Sequence, residues 1–342
     1  MFGHNGSMRL VIQIPCLNEE EMLPTTLAEL PRAVPGFDEV LWLVVDDGST
    51  DRTADVAREH GADHVVRFTQ NKGLAVAFQA GLDAALKLGA DVVVNTDADN
   101  QYQADDIATL VAPIVEGRAD FVVGTRDIVD HPEFSWAKKK LQRLGSWVVR
   151  RASGTDVEDA TSGFRAYSRE AALQVNVVSS FTYTLETVIQ AGKSDIAVTH
   201  VPIRINPATR DSRLFTSKRQ YIRRSTGTIS RVYAMYEPLR VFTIPAVLLG
   251  FIGVALFARY GYFLLTGDGD GHVQSLIVAA AFSLIALQLF MLGVVGHLLR
   301  VNRVIGERTL RRVRSIELAL GVQPDASVIH LEPESEPWTA EA

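Results

Sequence analysis

The chain has 342 residues, a formal net charge of −6 and a single cysteine. One cysteine excludes an internal disulfide framework and fits a reducing compartment. The acidic balance argues against nucleic acid as a partner. The length suffices for two domains. The composition changes along the chain: charged and apolar residues mix up to about residue 200, and two long apolar runs appear from Val241 onward.

Strands and helices are predicted to alternate through the first part of the chain. Residues 1–7 are expected to be an irregular leader, and beyond them short apolar runs alternate with segments of helical periodicity. The predicted strands are Leu10–Ile14, Val40–Val45, Val65–Phe68, Val92–Val94 and Asp120–Val123, and the predicted helices are Met22–Leu30, Thr53–His60, Leu74–Leu88 and Ala104–Val115. This alternation predicts an α/β fold in which a mostly parallel sheet carries helices on both faces.

Three of the predicted strands end in polar loops. These loops are Pro15–Glu19, Asp46–Asp51 and Asp97–Gln101. Ligands of parallel sheets bind beyond the carboxyl ends of the strands, so we expect the three loops on one rim. Glu19, Asp46 and Asp47 are candidates to accept hydrogen bonds from a nucleobase or a ribose. The alternative for the second loop is a helix-capping turn.

Asp97 and Asp99 are two carboxylates one residue apart, directly after an apolar strand. Mg²⁺ and Mn²⁺ prefer oxygen ligands and often take only one or two carboxylates, with phosphate completing the coordination shell. The pair, with Gln101 as a third contact, therefore predicts a divalent-cation site that holds a diphosphate. The alternative is an ordinary surface turn, since Asp and Asn favour turns. The chain contains no G-x-x-x-x-G-K-[ST] loop and no H-E-x-x-H pair, which argues against a P-loop and against a zinc site.

The pattern changes after residue 123. Trp136–Arg151 predicts a basic helix, Asp159–Arg165 a loop that leads to a short strand, and Phe181–Ala191 another helix. Val198–Ile205 predicts a further strand. Pro202 lies inside it, which indicates an edge position because proline cannot donate to a ladder.

Residues 221–236 place tyrosines and aliphatic residues at helical spacing, accompanied by arginines. This pattern predicts a basic amphipathic helix that lies on a membrane surface. The alternative is a soluble packing helix. The adjacent apolar runs favour the membrane interpretation, and they also make an anionic lipid a better partner for the basic residues than nucleic acid.

The two apolar runs, Val241–Leu265 and Val273–Leu299, reach the ~20 residues that span a bilayer. The alternative is a pair of buried core helices. Nine Lys and Arg residues lie between Arg204 and Arg240 and six more follow the second run, whereas residues 266–272 contain none. By the positive-inside rule we expect two spans of the cell membrane, an external connection, and an α/β domain and both termini in the cytoplasm.

These patterns divide the chain into six predicted parts. They are a leader (1–7), an α/β domain (8–212), amphipathic juxtamembrane helices (213–240), two transmembrane helices (241–299), a cytoplasmic basic helix (300–320) and a tail (321–342). The tail is rich in Pro, Glu, Asp and Ser, which predicts disorder.

Six motifs together resemble family 2 glycosyltransferases with the Rossmann-like GT-A fold. The motifs are Pro15-x-Leu17-Asn18-Glu19, Asp46-Asp47-Gly48-Ser49-x-Asp51, Asn71-x-Gly73, Asp97-Ala98-Asp99-x-Gln101, Gly124-Thr125-Arg126 and Thr161-Ser162-Gly163-Phe164-Arg165. The resemblance covers about residues 8–240 and is strongest to the polyprenyl-phosphate (dolichyl-phosphate) hexosyltransferase branch with two C-terminal transmembrane helices. Two departures stand out: Asn100 replaces a frequent Leu, and residues 209–213 lack the Gly of the branch's Arg-x-x-Gly-x-Ser-Lys motif.

The resemblance implies an inverting transfer of a sugar to a polyprenyl phosphate at the cytoplasmic membrane face, for cell-envelope glycosylation. The implied donor is a nucleotide-diphosphate sugar, with a UDP-linked hexose or N-acetylhexosamine favoured and GDP-mannose open. The implied cofactor is Mg²⁺ or Mn²⁺, and membrane lipid is an implied partner. Self-association of the chain is left open, because small residues such as Gly253 and Gly293 allow close packing of the spans.

The resemblance also implies roles for individual residues. Those implied for the nucleotide sugar are Pro15, Leu17, Glu19, Asp46, Asp47, Lys72, Asp97, Arg210 and Arg213; for the metal, Asp97, Asp99 and Gln101; and for the lipid phosphate, Arg126 and Arg143. Asp159 is the candidate general base, and its alternative role is to cap the loop that follows it. A phosphate monoester is largely dianionic at neutral pH and needs little help from a base.

Two other functions compete with single sugar transfer. A processive polysaccharide synthase would carry a Gln-x-x-Arg-Trp signature and more spans, and the sequence shows neither. A catalytically silent membrane scaffold would be favoured by loss of Asp97 or Asp99, and both are present.

Overall fold

The computed structural model describes residues 7–126, 146–147, 149–151, 153–177, 183–194, 196–207, 226–227, 230–231, 233–267, 270–321 and 330–331. Most of the predicted basic helix (136–151), much of the predicted amphipathic helix (221–236) and most of the tail lie outside these ranges. Arg143, Arg210 and Arg213 do so too. The chain divides into two compact units: Met1–Ile229 with Leu310–Ala342, and Ser230–Thr309.

The first unit is built on an eight-stranded mixed sheet. Its strands are β1 (Arg9–Cys16), β2 (Glu39–Asp46), β3 (His64–Arg67), β4 (Val92–Asn95), β5 (Phe121–Arg126), β6 (Arg165–Ser168), β7 (Val198–Ile203) and β8 (His330–Leu331), in the spatial order β7-β5-β6-β4-β1-β2-β3-β8. Strands β1 to β4 run parallel, as do β5 and β7, while β6 and β8 pair antiparallel with their neighbours. The mostly parallel sheet predicted from the sequence is confirmed.

Six α-helices with described bounds belong to the sheet-containing part of this unit. They are α1 (Leu23–Glu29), α2 (Thr53–Glu59), α3 (Leu74–Lys87), α4 (Ile107–Val115, preceded by a 3-10 turn at Ala104–Asp106), α5 (Arg169–Gln174) and α6 (Thr184–Lys193). Helices α1, α2, α3, α4 and α6 confirm five predicted helices, with ends that lie within three residues of the predicted ones. Helix α5 was not predicted, because it is short and its main local signal is the capping hydroxyl of Ser168, which accepts a hydrogen bond from the Ala171 N–H at 3.1 Å.

Alternate residues of β1 face opposite layers of helices, as the pleat of a strand requires. Leu10, Ile12 and Ile14 lie in one core with buried residues of α1, α2 and α4. On the other face, Gln13 lies against Gly81 of α3. Helices therefore cover both faces of the central strands, and the carboxyl ends of β1, β2 and β4 remain open to the loops that follow them.

Two prolines lie within strands. Strand β1 continues through Pro15 to Cys16, beyond its predicted end at Ile14, because both residues still pair with β2. Its ladder with β4 stops earlier, at Gln13 and Asn95. Pro15 has no N–H to donate, and at this point β1 has only β2 as a neighbour, so the missing donor interrupts no second ladder. Pro202 lies in β7 at the edge of the sheet, as predicted.

The second unit consists mainly of two long apolar helices. Helix α7 covers Pro238–Leu265, and helix α8 covers Val273–Ala319 after a 3-10 turn at Asp270–His272. Both are long and apolar enough to cross a membrane. Helix α8 continues without a break through the basic segment that we predicted as a separate helix, and its residues from Leu310 belong to the first unit.

Small residues bring the two apolar helices close together. A β-carbon at Gly293 of α8 would lie 3.3 Å from the β-carbon of Phe242 of α7, and one at Gly253 would lie 2.6 Å from the Ser283 hydroxyl oxygen. Large apolar side chains elsewhere on the helices are exposed, for example Phe251 at 74% and Leu265 at 89%. An exposed apolar surface of this extent suits a lipid environment.

Candidate active site

The loops after β1 and β2 are joined by hydrogen bonds. The Asn18 N–H donates to the Ser49 hydroxyl at 2.9 Å, and the Thr50 N–H donates to the Asn18 side-chain oxygen at 2.9 Å. Asn18 adopts a left-handed backbone conformation with φ of 55°, which Asn tolerates better than most residues. The two loops thus form one connected rim, as their positions after parallel strands predicted.

Asp46 and Asp47 use their carboxylates to organise this rim. Asp46 is buried, and it accepts a hydrogen bond from the Ser49 N–H at 2.8 Å and lies 3.1 Å from Arg67 Nε. Asp47 accepts hydrogen bonds from the backbone N–H groups of Lys72 at 2.7 Å and Gly73 at 2.9 Å. Burial raises the pKa of Asp47 above its ordinary value, although these two donors oppose the shift. Both residues therefore shape the rim, whether or not they also touch a ligand.

Leu17, Glu19 and Lys72 border the same rim. The Leu17 side chain is 40% exposed, which is unusual for a large aliphatic residue next to a buried strand. The Glu19 N–H donates to the Thr53 hydroxyl at 2.9 Å, which ties the first loop to the start of α2. Lys72 is exposed at the start of α3, with its ammonium 4.7 Å from the centre of the Phe68 ring. The rim thus combines an exposed apolar side chain with an exposed lysine.

Asp97 and Asp99 follow β4 at the centre of this edge of the sheet. Asp99 accepts a hydrogen bond from the Gln101 N–H at 3.1 Å, and Asn100 between them is left-handed with φ of 55°. Burial, and then the charge of Asp99, raise the pKa of Asp97 to about 7, although Arg126 and Tyr102 partly offset the shift. Two carboxylates that repel each other in this way are the arrangement that a divalent cation stabilises.

The loop that contains Gly163 lies directly against Asp97. A β-carbon at Gly163 would lie 2.7 Å and 2.8 Å from the two carboxylate oxygens of Asp97, so only glycine fits there. The Gly163 N–H donates to the Tyr102 hydroxyl at 2.9 Å. The Gly163 carbonyl accepts from the Asn95 side-chain amide at 2.8 Å. The backbone N–H and the carbonyl of Gly163 are therefore both hydrogen-bonded, next to a predicted metal ligand.

Arg126 and Asp159 form a buried ion pair beside the same loop. Arg126 Nε donates to one carboxylate oxygen of Asp159 at 2.6 Å, and Nη2 donates to the other at 3.1 Å and to the Thr161 hydroxyl at 3.0 Å. Burial alone would raise the pKa of Asp159, but Arg126 and Thr161 outweigh it and hold the pKa below its ordinary value. Asp159 is therefore ionised at neutral pH, and its main contact is the guanidinium.

Arg165 holds this loop from within the protein. Its side chain is fully buried and donates to the carbonyls of Ser162 at 2.7 Å and Ala160 at 2.9 Å, and to the Thr187 hydroxyl at 2.5 Å. A buried guanidinium that reaches carbonyls of its own loop fixes the loop's conformation. The loop thus presents Thr161 and Gly163 at defined positions.

The chain after β7 returns to the Asp99 loop. The Asn206 N–H donates to the Gln101 carbonyl at 2.8 Å, and the Asn206 amide donates to the Asn100 carbonyl at 3.0 Å. Arg204 forms a two-pronged ion pair with Asp106, at 3.0 Å and 2.7 Å. These contacts bring the residues that precede Arg210 and Arg213 to the edge of the candidate site.

The donor set fits Mg²⁺ or Mn²⁺. Within the described ranges, three or more His, Cys, Asp or Glu side chains nowhere converge into a protein cage for a metal. Two carboxylates, with Gln101 two residues beyond Asp99 in the chain, leave coordination positions for phosphate oxygens and water, which is how Mg²⁺ is usually held. Cys16 is buried, and burial raises the pKa of its thiol well above the ordinary value, so it acts as a packing residue and not as a metal ligand or a nucleophile.

The sequence located the Asp97 and Asp99 loop but not the residues that support it. Tyr102, Asn95 and Asn206 were not predicted to be part of the site. Their signal in the sequence was weak: Asn95 is a polar residue at the end of an apolar strand, and Tyr102 follows the predicted motif by one residue. Their roles depend on contacts with residues about 60 to 110 positions away, which no local pattern reveals.

Comparisons with known proteins agree with this geometry. A family model described as glycosyl transferase family 2 matches residues 11–175. The chain is 32% identical over 206 residues to an undecaprenyl-phosphate mannosyltransferase of Micrococcus luteus, covering 57% of this chain and 83% of that protein. It is also 32% identical over 216 residues to a UDP-N-acetylglucosamine–dolichyl-phosphate N-acetylglucosaminyltransferase of Methanococcus voltae, covering 56% of this chain and 83% of that protein.

One solved structure shows the likeness of the fold. Glucosyl-3-phosphoglycerate synthase from Mycobacterium tuberculosis, in complex with Mn²⁺, UDP and glucosyl-3-phosphoglycerate, matches with a TM-score of 0.52 at 20% identity. The match covers 67% of this chain and 79% of that chain. The sheet and its helices therefore have the GT-A-type architecture.

Proposed function

We infer that this chain, which belongs to glycosyl transferase family 2, transfers a sugar from a nucleotide-diphosphate donor to a polyprenyl phosphate. The chain is a glycosyltransferase, and its relatives act on undecaprenyl phosphate or dolichyl phosphate by name. The observation that carries the proposal is the Asp97 and Asp99 pair, held at the end of β4 with a raised pKa of Asp97 that a divalent cation would lower. The proposed donor is a UDP-linked hexose or N-acetylhexosamine.

The donor's nucleotide is proposed to lie on the rim formed by the loops after β1 and β2. Pro15, Leu17 and Glu19 border it on one side, and Lys72 is exposed on the other. Asp46 and Asp47 hold the rim through backbone N–H groups, so we assign them mainly to shaping the nucleotide pocket. Asp97, Asp99 and Gln101 would hold Mg²⁺ or Mn²⁺ on the diphosphate. When bound, the cation neutralises the charge that develops on the leaving nucleotide diphosphate.

Arg210 and Arg213 are proposed to bind the diphosphate from the opposite side. They lie four and seven residues after Asn206, whose backbone and side chain are bonded to the Asp99 loop. An extended chain covers at most about 3.6 Å per residue, so the α-carbon of Arg210 stays within about 14 Å of that of Asn206.

Arg126 is proposed to bind the acceptor phosphate, together with Arg143. Its Nε and Nη2 are occupied by Asp159 and Thr161, which fixes the plane of the guanidinium, and we assign the remaining Nη1 to the acceptor phosphate. The low pKa of Asp159 suits this orienting role better than that of a base. The acceptor phosphate is largely dianionic at neutral pH, so it attacks the sugar carbon without first losing a proton to the protein. Direct attack on the face opposite the leaving diphosphate inverts the anomeric configuration.

The membrane arrangement completes the proposal. Helices α7 and α8 would span the cell membrane, with the connection at 266–272 outside and the catalytic unit in the cytoplasm. The support is the distribution of Lys and Arg, which flank both apolar helices and are absent from the connection. The reaction would then take place at the cytoplasmic face, where a soluble donor and a lipid phosphate meet.

A donor screen tests the proposed function. The full chain, purified in detergent, is incubated with polyprenyl phosphate, Mn²⁺ and either UDP-glucose, UDP-N-acetylglucosamine or GDP-mannose. We expect one donor to yield a lipid that carries a single sugar, and we expect a chelator to abolish the product. A polymeric product would instead indicate a processive synthase. Failure to transfer from any nucleotide sugar at saturating Mn²⁺ would contradict the proposal and favour a silent scaffold.

Asp99→Ala is the matching variant. We expect it to lower the transfer rate at least about 100-fold, because it removes a charge that positions the electrophilic cation. Asp105→Ala provides the matched control, since Asp105 is an exposed carboxylate six residues further along the chain. The control should keep its activity, and both variants should retain the thermal midpoint of the parent protein. Full activity of Asp99→Ala at saturating metal would contradict the role of Asp99 in metal binding.

A further inference from the structure

Tyr102 lies between two parts of the candidate site. The residue is 4% exposed, and its ring stacks on that of Phe164 with centres 5.1 Å apart and planes at 9°. Its hydroxyl accepts a hydrogen bond from the Gly163 N–H at 2.9 Å, and it lies close enough to the Asp97 carboxylate to lower the pKa of that group. The phenol therefore links the loop of residues 159–165 to the central carboxylate.

Hydrogen bonds hold the backbone of Gly163 against Asp97. Tyr102 binds its N–H, while the Asn95 amide binds its carbonyl at 2.8 Å and also lies 2.9 Å from the Tyr183 hydroxyl. Asn95 is itself fixed by the Gln13 amide at 2.9 Å. The Asp97 carboxylate is thus confined by the backbone of Gly163, and the Tyr102 hydroxyl, whose oxygen already accepts the Gly163 N–H, lies beside it with its own hydrogen left to donate.

We propose that Tyr102 is a positioning residue that holds the Asp97 carboxylate in the orientation required to bind the cation–diphosphate complex. The inference rests on the proposed function, since it assigns Asp97 to that complex. A carboxylate oxygen that accepts the phenol hydrogen cannot rotate freely, so the other oxygen is directed at the cation. Without the hydroxyl, Asp97 would lose its fixed orientation, and the Gly163 N–H would lose its acceptor.

The test uses Tyr102→Phe, which keeps the ring and its stacking on Phe164. Binding of Mn²⁺ is measured in the full chain by electron paramagnetic resonance, with UDP present, together with turnover. We expect the dissociation constant of Mn²⁺ to rise roughly tenfold or more, as for loss of a hydrogen bond to a charged group. The donor kcat/KM should fall by a similar factor, while the KM for polyprenyl phosphate stays unchanged. A merely structural role would lower the thermal midpoint without this selective effect on metal binding.

Tyr167→Phe is the matched control. Tyr167 is a fully buried tyrosine of the neighbouring strand β6, and its ring stacks on Phe121 with centres 4.6 Å apart. It should bind Mn²⁺ as the parent protein does. If Tyr102→Phe fails to fold, Asn95→Ala removes the opposing bond to Gly163 and should weaken Mn²⁺ binding in the same direction.

The outcomes separate this inference from the proposed function. If the parent protein binds Mn²⁺ and UDP and Tyr102→Phe binds them equally well, the positioning role is overturned and the proposed function stands. If the parent protein binds neither, the proposed function itself fails.

Discussion

At the scale of single residues, the acidic side chains near the sheet edge differ in what they contact. Asp46, Asp47 and Asp159 each make two or more bonds to protein groups, and these bonds fix loops. Burial, and then the charge of Asp99 across a short turn, raise the pKa of Asp97 to about 7. A protein retains such repulsion where a ligand relieves it. The contacts of Asp46, Asp47 and Asp159 thus support structural roles, and Asp97 and Asp99 are the pair that we propose to bind the ligand.

Gly163→Ala tests how closely the loop approaches Asp97. The new β-carbon would lie 2.7 Å from a carboxylate oxygen, so either Asp97 or the loop must shift. We expect the transfer rate to fall by more than about tenfold, because misplacing a catalytic group by an ångström costs one to two orders of magnitude. Gly306→Ala is the control, since nothing lies within 4 Å of its added β-carbon. An unchanged transfer rate of Gly163→Ala would contradict the claim that the position of Asp97 matters for the reaction.

Asp159→Asn tests the buried ion pair through its pH dependence. The folded-state pKa of Asp159 lies below its unfolded value, so its contribution to stability is present above about pH 4 and is lost as the pH falls through the folded pKa. We expect the variant to lose about 3 kcal/mol of stability at pH 7, because Arg126 is left without its partner. The difference from the parent protein should shrink below about pH 4, measured as thermal midpoints in detergent. A difference that does not change with pH would contradict the assignment.

At the scale of elements, helix α3 connects the nucleotide rim with the end of α8. Its first residues follow Gly73, which Asp47 binds, and its last turns carry Asp83. Arg314, in the part of α8 that belongs to the first unit, lies 3.4 Å from Asp83. Arg314 also donates to the carbonyls of Val175 at 3.0 Å and Leu173 at 3.4 Å, at the end of α5. One arginine therefore joins three helices.

Arg314→Met tests this junction. We expect the variant to lose about 1–3 kcal/mol of stability, since it removes charge-assisted hydrogen bonds to carbonyls at a helix end and a partner of the half-buried Asp83. Burial raises the pKa of Asp83, and Arg314 opposes that shift, so the carboxylate would become harder to ionise in the variant. Thermal midpoints of the purified full chain measure the loss. Arg312→Met, at an exposed position on the same helix, should cost less than about 0.5 kcal/mol, and an equal loss in both would contradict the junction.

At the scale of the whole molecule, local patterns sufficed for the framework but not for the supports of the site. Alternating apolar runs predicted the strands and helices of the sheet, because their periodicity reflects burial on one or both faces. The strand-end rule placed Asp97 and Asp99 correctly at the sheet edge. The antiparallel pairing of β6 and the contacts of Tyr102 depend on distant segments, which periodicity does not encode, and helix α5 is too short to show a clear periodicity. His330 and Leu331 lie in the tail that we expected to be disordered, and they pair with β3 instead. This pairing also joins distant segments.

The membrane topology is a property of the whole chain, and cysteine labelling tests it. Cys16 is the one cysteine in the sequence and is buried, so Cys16→Ser provides a background without thiols. In that background, Thr266→Cys lies between the two apolar helices, and Arg312→Cys lies near the end of α8. Because arginines flank the helices and are absent from the connection, we expect a membrane-impermeant maleimide to label Thr266→Cys in intact cells and to label Arg312→Cys only after the membrane is opened. Labelling of Arg312→Cys in intact cells would invert the topology and place the catalytic unit on the opposite face from a cytoplasmic nucleotide donor.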